Sequence, residues 1–192
     1  MAKSRDQNKD LDLLEVEVHP ARPKGPPNFE TGEVPRWIDV SLSLRNNTDK
    51  DIFVMSTARQ IHYDAAQHLL TLGLHEPTPD PDRRIFHASM VKLPDFVPIR
   101  PHESGKITVS VPEVINFINP IATSEKGPSV TSVDISGVQH VELTIAYADK
   151  PFEAKPGTSP DELRRQLATW GRTIEHRVTP RKIKPDSPQK TE

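Results

Sequence analysis

Histidine is the commonest side chain able to ligate a metal or shuttle a proton near neutral pH, and eight stand in this chain: His19, His62, His68, His75, His87, His102, His140 and His176. Their spacing contains no HxH, HxxxH or HExxH grouping, which would set two imidazoles on one face of a strand or helix. A metal site would need long-range convergence, so no metal ligand is assigned. For acyl transfer, Ser104 stands beside His102 and Glu103 in PHESGK. Neighbours on one loop do not reach triad geometry by adjacency, and no GxSxG elbow occurs. Asp80 and Asp82 in PTPDPDRR fall short of an EF-hand loop. There is no glycine-rich phosphate loop, and the absence of cysteine removes thiolate catalysis, disulfides and cysteine-ligated zinc or iron–sulfur clusters. The expectation is a non-enzyme with no cofactor; a hydrolase is the third reading, and it would need activity that disappears in His102→Ala or Ser104→Ala.

More is written into the C-terminal part. Ser159-Pro160-Asp161-Glu162 combines an N-cap hydroxyl, proline at the first helical position and a glutamate three residues after the serine, the pattern of a capping box. Leu163, Leu167, Trp170 and Ile174 then follow at i, i+4, i+7 and i+11, one apolar stripe along a helix. From Arg164 to Lys184 seven cationic side chains stand against Glu175 alone. The stripe either covers its own domain or docks on a partner; the candidate partner-binding residues are Leu163, Leu167, Trp170 and Ile174, with Arg164 and Arg165 beside them. A protein partner or self-association is expected, and nucleic acid is not.

The whole-chain balance agrees. Lys plus Arg number 25 and Asp plus Glu 27, a formal net charge of −2, so no global field favours nucleic acid or a membrane surface. No stretch of 18 apolar residues occurs, and the charged start MAKSRDQNKDLD lacks the apolar run of a secretory signal. The reading is a cytoplasmic protein without a membrane partner. Only 34% of residues are hydrophobic and 20 are proline, which implies loops or tails around a richer folded part.

The elements that position these groups read mainly as strands. The central stretch is Trp37 to Val54, where Ile38, Val40, Leu42 and Leu44 alternate with Asp39, Ser41, Ser43 and Arg45. That period of two asks for one buried and one wet face. Asn46 to Asp51 supply turn chemistry, so a hairpin into a second strand is expected. Leu14, Val16 and Val18 predict a first strand, and the proline-rich ARPKGPPNFETGEVPR after it predicts a long crossing between sheets. Further strands are expected around Ile61 and Tyr63, over Leu70, Leu72 and Leu74, over Ile85 to Lys92, over Ile107, Val109 and Val111, and over Val141, Leu143, Ile145 and Tyr147. Residues 112–137 read as an irregular loop folding back on the body, with a mobile tip.

About seven short strands with turn signals between them favour a β-sandwich over a parallel α/β sheet. The pieces NNTDKDI and IRPHESGKITVSVP resemble the turn and strand habits of bacterial immunoglobulin-like modules over roughly residues 11–149. The resemblance implies an immunoglobulin-like antiparallel β-sandwich and no functional residues, and the chain lacks the cysteine pair of true immunoglobulin domains. The expected organisation is a disordered N-terminus at 1–10, the sandwich at 11–149, a linker at 150–158, a helix at 159–175 and a basic disordered tail at 176–192. The expected function is a protein-interaction module within a larger assembly, working through sheet edges, the 113–137 loop and the helix. The alternative is a small-ligand or carbohydrate module that uses Trp37, Trp170 and the histidines.

Overall fold

The computed structural model describes residues 10–29, 31–78, 93–124 and 127–184, with the backbone alone over 117–124 and 127–130. The strand expected at Ile85 to Lys92, most of the PTPDPDRR loop and both extreme ends lie outside the described residues. Alternating apolar side chains need two sheets to bury them, and the chain supplies two larger sheets, a separate hairpin and one short helix.

The first sheet is built on β1 (Leu11–Val18), β2 (Arg22–Pro23) and β3 (Arg36–Asn46). The predicted alternation of β3 holds: Ile38, Val40, Leu42 and Leu44 are buried. In β1 a bulge between Leu13 and Glu15 shifts the phase, so Leu14 faces water while Val16 and Val18 are buried. The proline-rich stretch is no crossing between sheets. β1 and β3 pair antiparallel, and β2 folds back on the start of β3 with Arg22 opposite Trp37. The stretch extends as an arm, held by Lys24 N–H to the Pro35 carbonyl and Asn28 N–H to the Glu33 carbonyl.

After β3 the chain enters β4 (Ile52–Met55), β5 (Gln60–Asp64), β6 (Leu69–Leu74) and β7 (Phe96–Ile99). The expected β3–β4 hairpin does not form, because β4 belongs to the second sheet and pairs with β7. Asn46 explains the corner. It keeps the inward phase of Leu44 and is fully buried. Its amide donates to the carbonyls of Lys50, Ile99 and Arg100 at 2.7, 2.9 and 3.1 Å, and its oxygen accepts from the Thr48 N–H and hydroxyl at 2.9 and 2.8 Å. One side chain thus satisfies backbone groups from two segments, 48–50 and 99–100, at the point where the chain leaves one sheet for the other. Asn46→Ala orphans the buried Ile99 carbonyl, breaks the half-buried bonds to Lys50 and Arg100, and should cost about 3 kcal/mol. Asn47→Ala, which removes an exposed bond to Asp12, should stay below about 1 kcal/mol. Urea midpoints of the two variants check the contrast, and equal midpoints would remove the corner's role.

Strand β8 (Ser104–Pro112) pairs with β3 along its length and completes the first sheet's middle. Through Glu113 it runs into β9 (Val114–Ser124), which pairs with β10 (Gly127–Asp134). The described part of the 112–137 stretch is therefore mainly strand rather than irregular loop: β9 and β10 satisfy each other's backbone without joining either larger sheet, and residues 125–126 of the expected mobile tip lie outside the described residues.

The second sheet centres on β11 (His140–Ala148), where Val141, Leu143, Ile145 and Tyr147 are completely buried as their spacing predicts. It pairs parallel with β6, which pairs antiparallel with β5. The strand expected over Leu70, Leu72 and Leu74 is therefore present. The sheet is mixed rather than purely antiparallel. Helix α1 covers Pro160–Ala168 only, with Ser159 accepting from Glu162 N–H at the cap. Gly171 then turns the chain at φ +70°, and residues expected to continue the helix or form a tail become β12 (Arg172–Val178) and β13 (Arg181–Lys182). β12 pairs antiparallel with β11, and β13 pairs parallel with β1. The C-terminal segment thus joins both sheets. The apolar faces of the two sheets meet in one cluster that runs from Leu11 and Val40 to Leu143 and Ile174.

Candidate functional site

The outward side chains of β3 should be wet, yet Asp39 and Ser41 are buried. Register explains part of this: β8 sets Ser110 opposite Asp39 and Thr108 opposite Ser41, while β1 ends at Val18 opposite Val40 and passes His19 over the same face. The turn after β1 then brings Arg22 onto the Asp39 carboxylate. Ser110 donates to the other carboxylate oxygen at 2.5 Å, and Lys24 donates to Ser110 at 2.6 Å. Ser41 lies 3.0 Å from the Thr108 hydroxyl and 3.2 Å from His19 Nε2. Lys106 donates to Glu17 at 2.9 Å, and Arg181 reaches Glu17 and Glu15.

Around this network lies an open groove of about 590 Å³, walled by Arg22, Lys106, Thr108, Ile183 and Lys184 and floored by Asp39 and Ser41. Burial alone would raise the Asp39 carboxyl, but the Ser110 hydrogen bond and the charges of Arg22 and Lys24 outweigh it, so Asp39 is held below its ordinary value. The Lys106 hydrogen bond, with Arg181 nearby, likewise lowers Glu17.

A carboxyl with a depressed folded pKa contributes stability that is present above its unfolded value and lost as pH falls through the folded one. Asp39→Asn should therefore cost about 1–2 kcal/mol near neutrality and flatten the acid-side loss of stability. Chemical denaturation across a pH series checks this. A variant that loses as much stability on acidification as the wild type would remove Asp39 from the account.

His19 invites comparison with a serine–histidine–carboxylate relay. Both Ser41 and Glu17 approach the same atom, Nε2, with Glu17 at 3.9 Å. A relay needs the acid on the other ring nitrogen, so this trio lacks that geometry. The Ser104 candidate fares no better. His102, in a left-handed backbone conformation, turns its Nε2 to Asp49 at 2.9 Å, and Ser104 opens β8 opposite Arg45. His68 also has positive φ, and its Nδ1 lies 3.3 Å from the Tyr63 hydroxyl. Among the described residues no group of three or more His, Asp or Glu side chains could hold a metal ion. None of their helices is long and apolar enough to cross a membrane.

The residues expected to meet a partner are distributed differently. Leu167 is buried against Met55 and Ala146, with Leu163 and Trp170 packed on the same cluster. Trp170 meets Phe96 edge to face, centroids 4.6 Å apart. Ile174 is not on the helix at all; it lies on β12 opposite Ile145, in the main core. Arg164 pairs with Asp161, and Arg165, mostly exposed, with Glu162. Of the helix stripe, Leu167 is buried in the chain's own packing, and Leu163 and Trp170 are half-buried.

What sequence reasoning missed is the groove and the arms. A signal for the groove existed in the four polar outward positions of β3, but nothing local says that Arg22 and His19 return over them. Of the exposed large hydrophobic side chains among the described residues, Phe29 and Val34 stand on the 22–36 arm and Val114 on the β9–β10 hairpin. The two arms share a base. Arg36 Nε donates to Glu113 at 2.8 Å, and Glu113 N–H donates to the Arg36 carbonyl. Compared with protein-family models, curated proteins and solved structures, the chain matches none.

Proposed function

We propose that this chain is a protein-interaction module, an immunoglobulin-like β-sandwich that docks a protein partner through the two arms joined at Arg36 and Glu113. The observation that carries the reading is the concentration of exposed apolar side chains on those arms: Phe29, entirely in water, with Val34 and Val114. A two-stranded ribbon is marginal alone in water, so a contact that buried these side chains would add to its stability. Stacking on a partner would bury them. The helix stripe, already packed on Met55 and Ala146, leaves the arms as the better docking surface.

The triple variant Phe29→Ser, Val34→Ser, Val114→Ser touches no core cluster and should keep its thermal midpoint. Immobilised beside the wild type in extract from the native cell, it should retain the specific partner at least about tenfold less well, since each buried anchor contributes on the order of 1–2 kcal/mol. Arg165→Gln should retain it fully. Equal retention by the triple variant, or no species held specifically by the wild type, sinks the reading. A second reading, a small-ligand module, has the groove over Asp39 in its favour. Among the described residues no Trp, Tyr or Phe lines that groove, so it offers a neutral sugar no such stacking surface.

A further inference from the structure

We infer that the groove over Asp39 is a binding site for a small organic anion, a molecule whose phosphate or carboxylate meets Arg22, Lys106 and Lys184. The inference stands apart from the docking residues, since Phe29, Val34 and Val114 line no part of the groove, although Arg22 lies at the root of one arm. Among the described residues three cationic side chains line the groove against the Asp39 carboxylate, and the Glu17 carboxylate beside Lys106 is shared with Arg181, in a chain whose formal net charge is −2. The positive field is therefore local to the groove and is not a property of the chain as a whole.

The Asp39 carboxylate is already satisfied. Asp39 accepts from Ser110 on one oxygen and from Arg22 on the other, so it is closed to an incoming cation and cancels part of one guanidinium only. The cations, by contrast, keep donors in hand. A guanidinium has five N–H groups and an ammonium three. Arg22 spends one nitrogen on Asp39, and Lys106 spends one donor on Glu17. Among the described residues Lys184 has no recorded ion-pair partner and is exposed. Both Arg22 and Lys106 are more than half exposed, so their remaining donors are accessible, while their positions are set by the carboxylates they hold. This is preorganisation: the entropy of placing the long side chains is spent on folding rather than on binding.

The rest of the wall fits an organic body rather than a bare ion. Thr108 and Ser41 bring hydroxyls, His19 a ring nitrogen, and Pro20, Ala21 and Ile183 a short apolar margin. A groove of about 590 Å³ falls within the range that small ligands occupy, roughly 300–1,000 Å³. Charge selects the ligand's anionic head, and the hydroxyl floor and apolar margin take its carbon skeleton.

Isothermal titration calorimetry of the full chain at low ionic strength, with glucose 6-phosphate, citrate, inorganic phosphate and glucose as probes, tests this. The expected result is saturable one-to-one binding of glucose 6-phosphate or citrate, tighter than inorganic phosphate, with no heat from glucose. Arg22→Gln with Lys106→Gln should weaken it at least about tenfold, and Lys184→Gln about threefold. Because Arg22 also holds Asp39, the double variant could lose stability; Lys184→Gln leaves the Asp39 and Glu17 contacts intact and keeps the test decisive. The Phe29, Val34, Val114 triple variant should bind as the wild type does, which separates this site from the docking surface. Four results would overturn the inference: no binding of either organic anion, affinity unchanged by Lys184→Gln and by the double variant, glucose bound as well as its phosphate, or inorganic phosphate bound as tightly as the organic anions.

Discussion

A chain ended at Asp149 is expected to lose its native fold, not merely a docking helix. Residues after 149 supply β12, which pairs with β11 from Val141 opposite Val178 to Tyr147 opposite Arg172. They also supply β13, which pairs with β1. Removing them takes Ile174 from the main core and Leu167 from the cluster with Met55 and Ala146. Each large apolar side chain returned to water costs about 1.5–3 kcal/mol. Ile174, Leu167 and the uncovered Met55 together approach 5–9 kcal/mol by that measure. It is an upper figure, since the deleted residues no longer have to be ordered. Against a whole-domain stability of about 5–15 kcal/mol, the loss is decisive. The bared edge of β11 would in addition offer unpaired backbone groups to other chains. Light scattering on a sizing column with a thermal melt is the measurement, and aggregates or a missing cooperative transition are expected. A monomer that melts cooperatively would show that the C-terminal strands are dispensable.

The second large effect is expected at Gly171. It turns the chain from α1 into β12 with φ +70°, and a Cβ built there would stand 2.2 Å from the Tyr147 carbonyl oxygen and 2.8 Å from its carbon. Those are backbone atoms of the central strand and have nowhere to go. Left-handed backbone costs an L-residue about 1–2 kcal/mol by itself. A clash with fixed backbone brings the total for Gly171→Ala to about 4 kcal/mol or more, in the range reserved for such steric faults. Gly157 separates the two contributions. Its φ is +79° but nothing lies within 4 Å of a built Cβ, so Gly157→Ala should cost only the conformational part. Denaturant midpoints for the pair decide it; similar losses would mean that the close approach to Tyr147 is relieved by a small shift of β12.

Several elements were legible because their physics is local. Alternation at Ile38 to Leu44, Ile107 to Val111 and Val141 to Tyr147 depends only on successive side chains facing opposite ways, and all three strands bury the predicted face. The Ser159-Pro160 start of α1 depends on one turn of backbone, and it too stands where it was expected. The helix's end was not legible in full: Leu163, Leu167, Trp170 and Ile174 keep helical spacing, yet Gly171 breaks the run and Ile174 gains a strand partner in Ile145. A periodicity of four residues is a pattern that a helix and a following strand can share by chance.

Connections were less readable, and for one reason. Whether a turn returns to the same sheet or crosses to the other depends on what waits at its far side. Asn46 signals a turn in any setting, but the crossing depends on the carbonyls of Ile99 and Arg100, some fifty residues on, which its amide satisfies. The proline-rich stretch after β1 folds back on Trp37 and Arg36 by the same logic. Strands β9 and β10 pair with each other, with a register shift between Pro128 and Ser129, although no strict alternation marks them.

The candidate site belongs wholly to that non-local part. By itself the sequence determined a cysteine-free, mostly-β chain with clean strand faces and one capped helix, since these follow from residue type and near-neighbour spacing. Only the tertiary structure decided that Arg22 and His19 close over Asp39 and Ser41, that Lys106 and Lys184 face the same groove, and that Phe29, Val34 and Val114 stand on arms with a common base. Charge and exposure are sums over groups distant in the chain, and strand pairing alone brings those groups together.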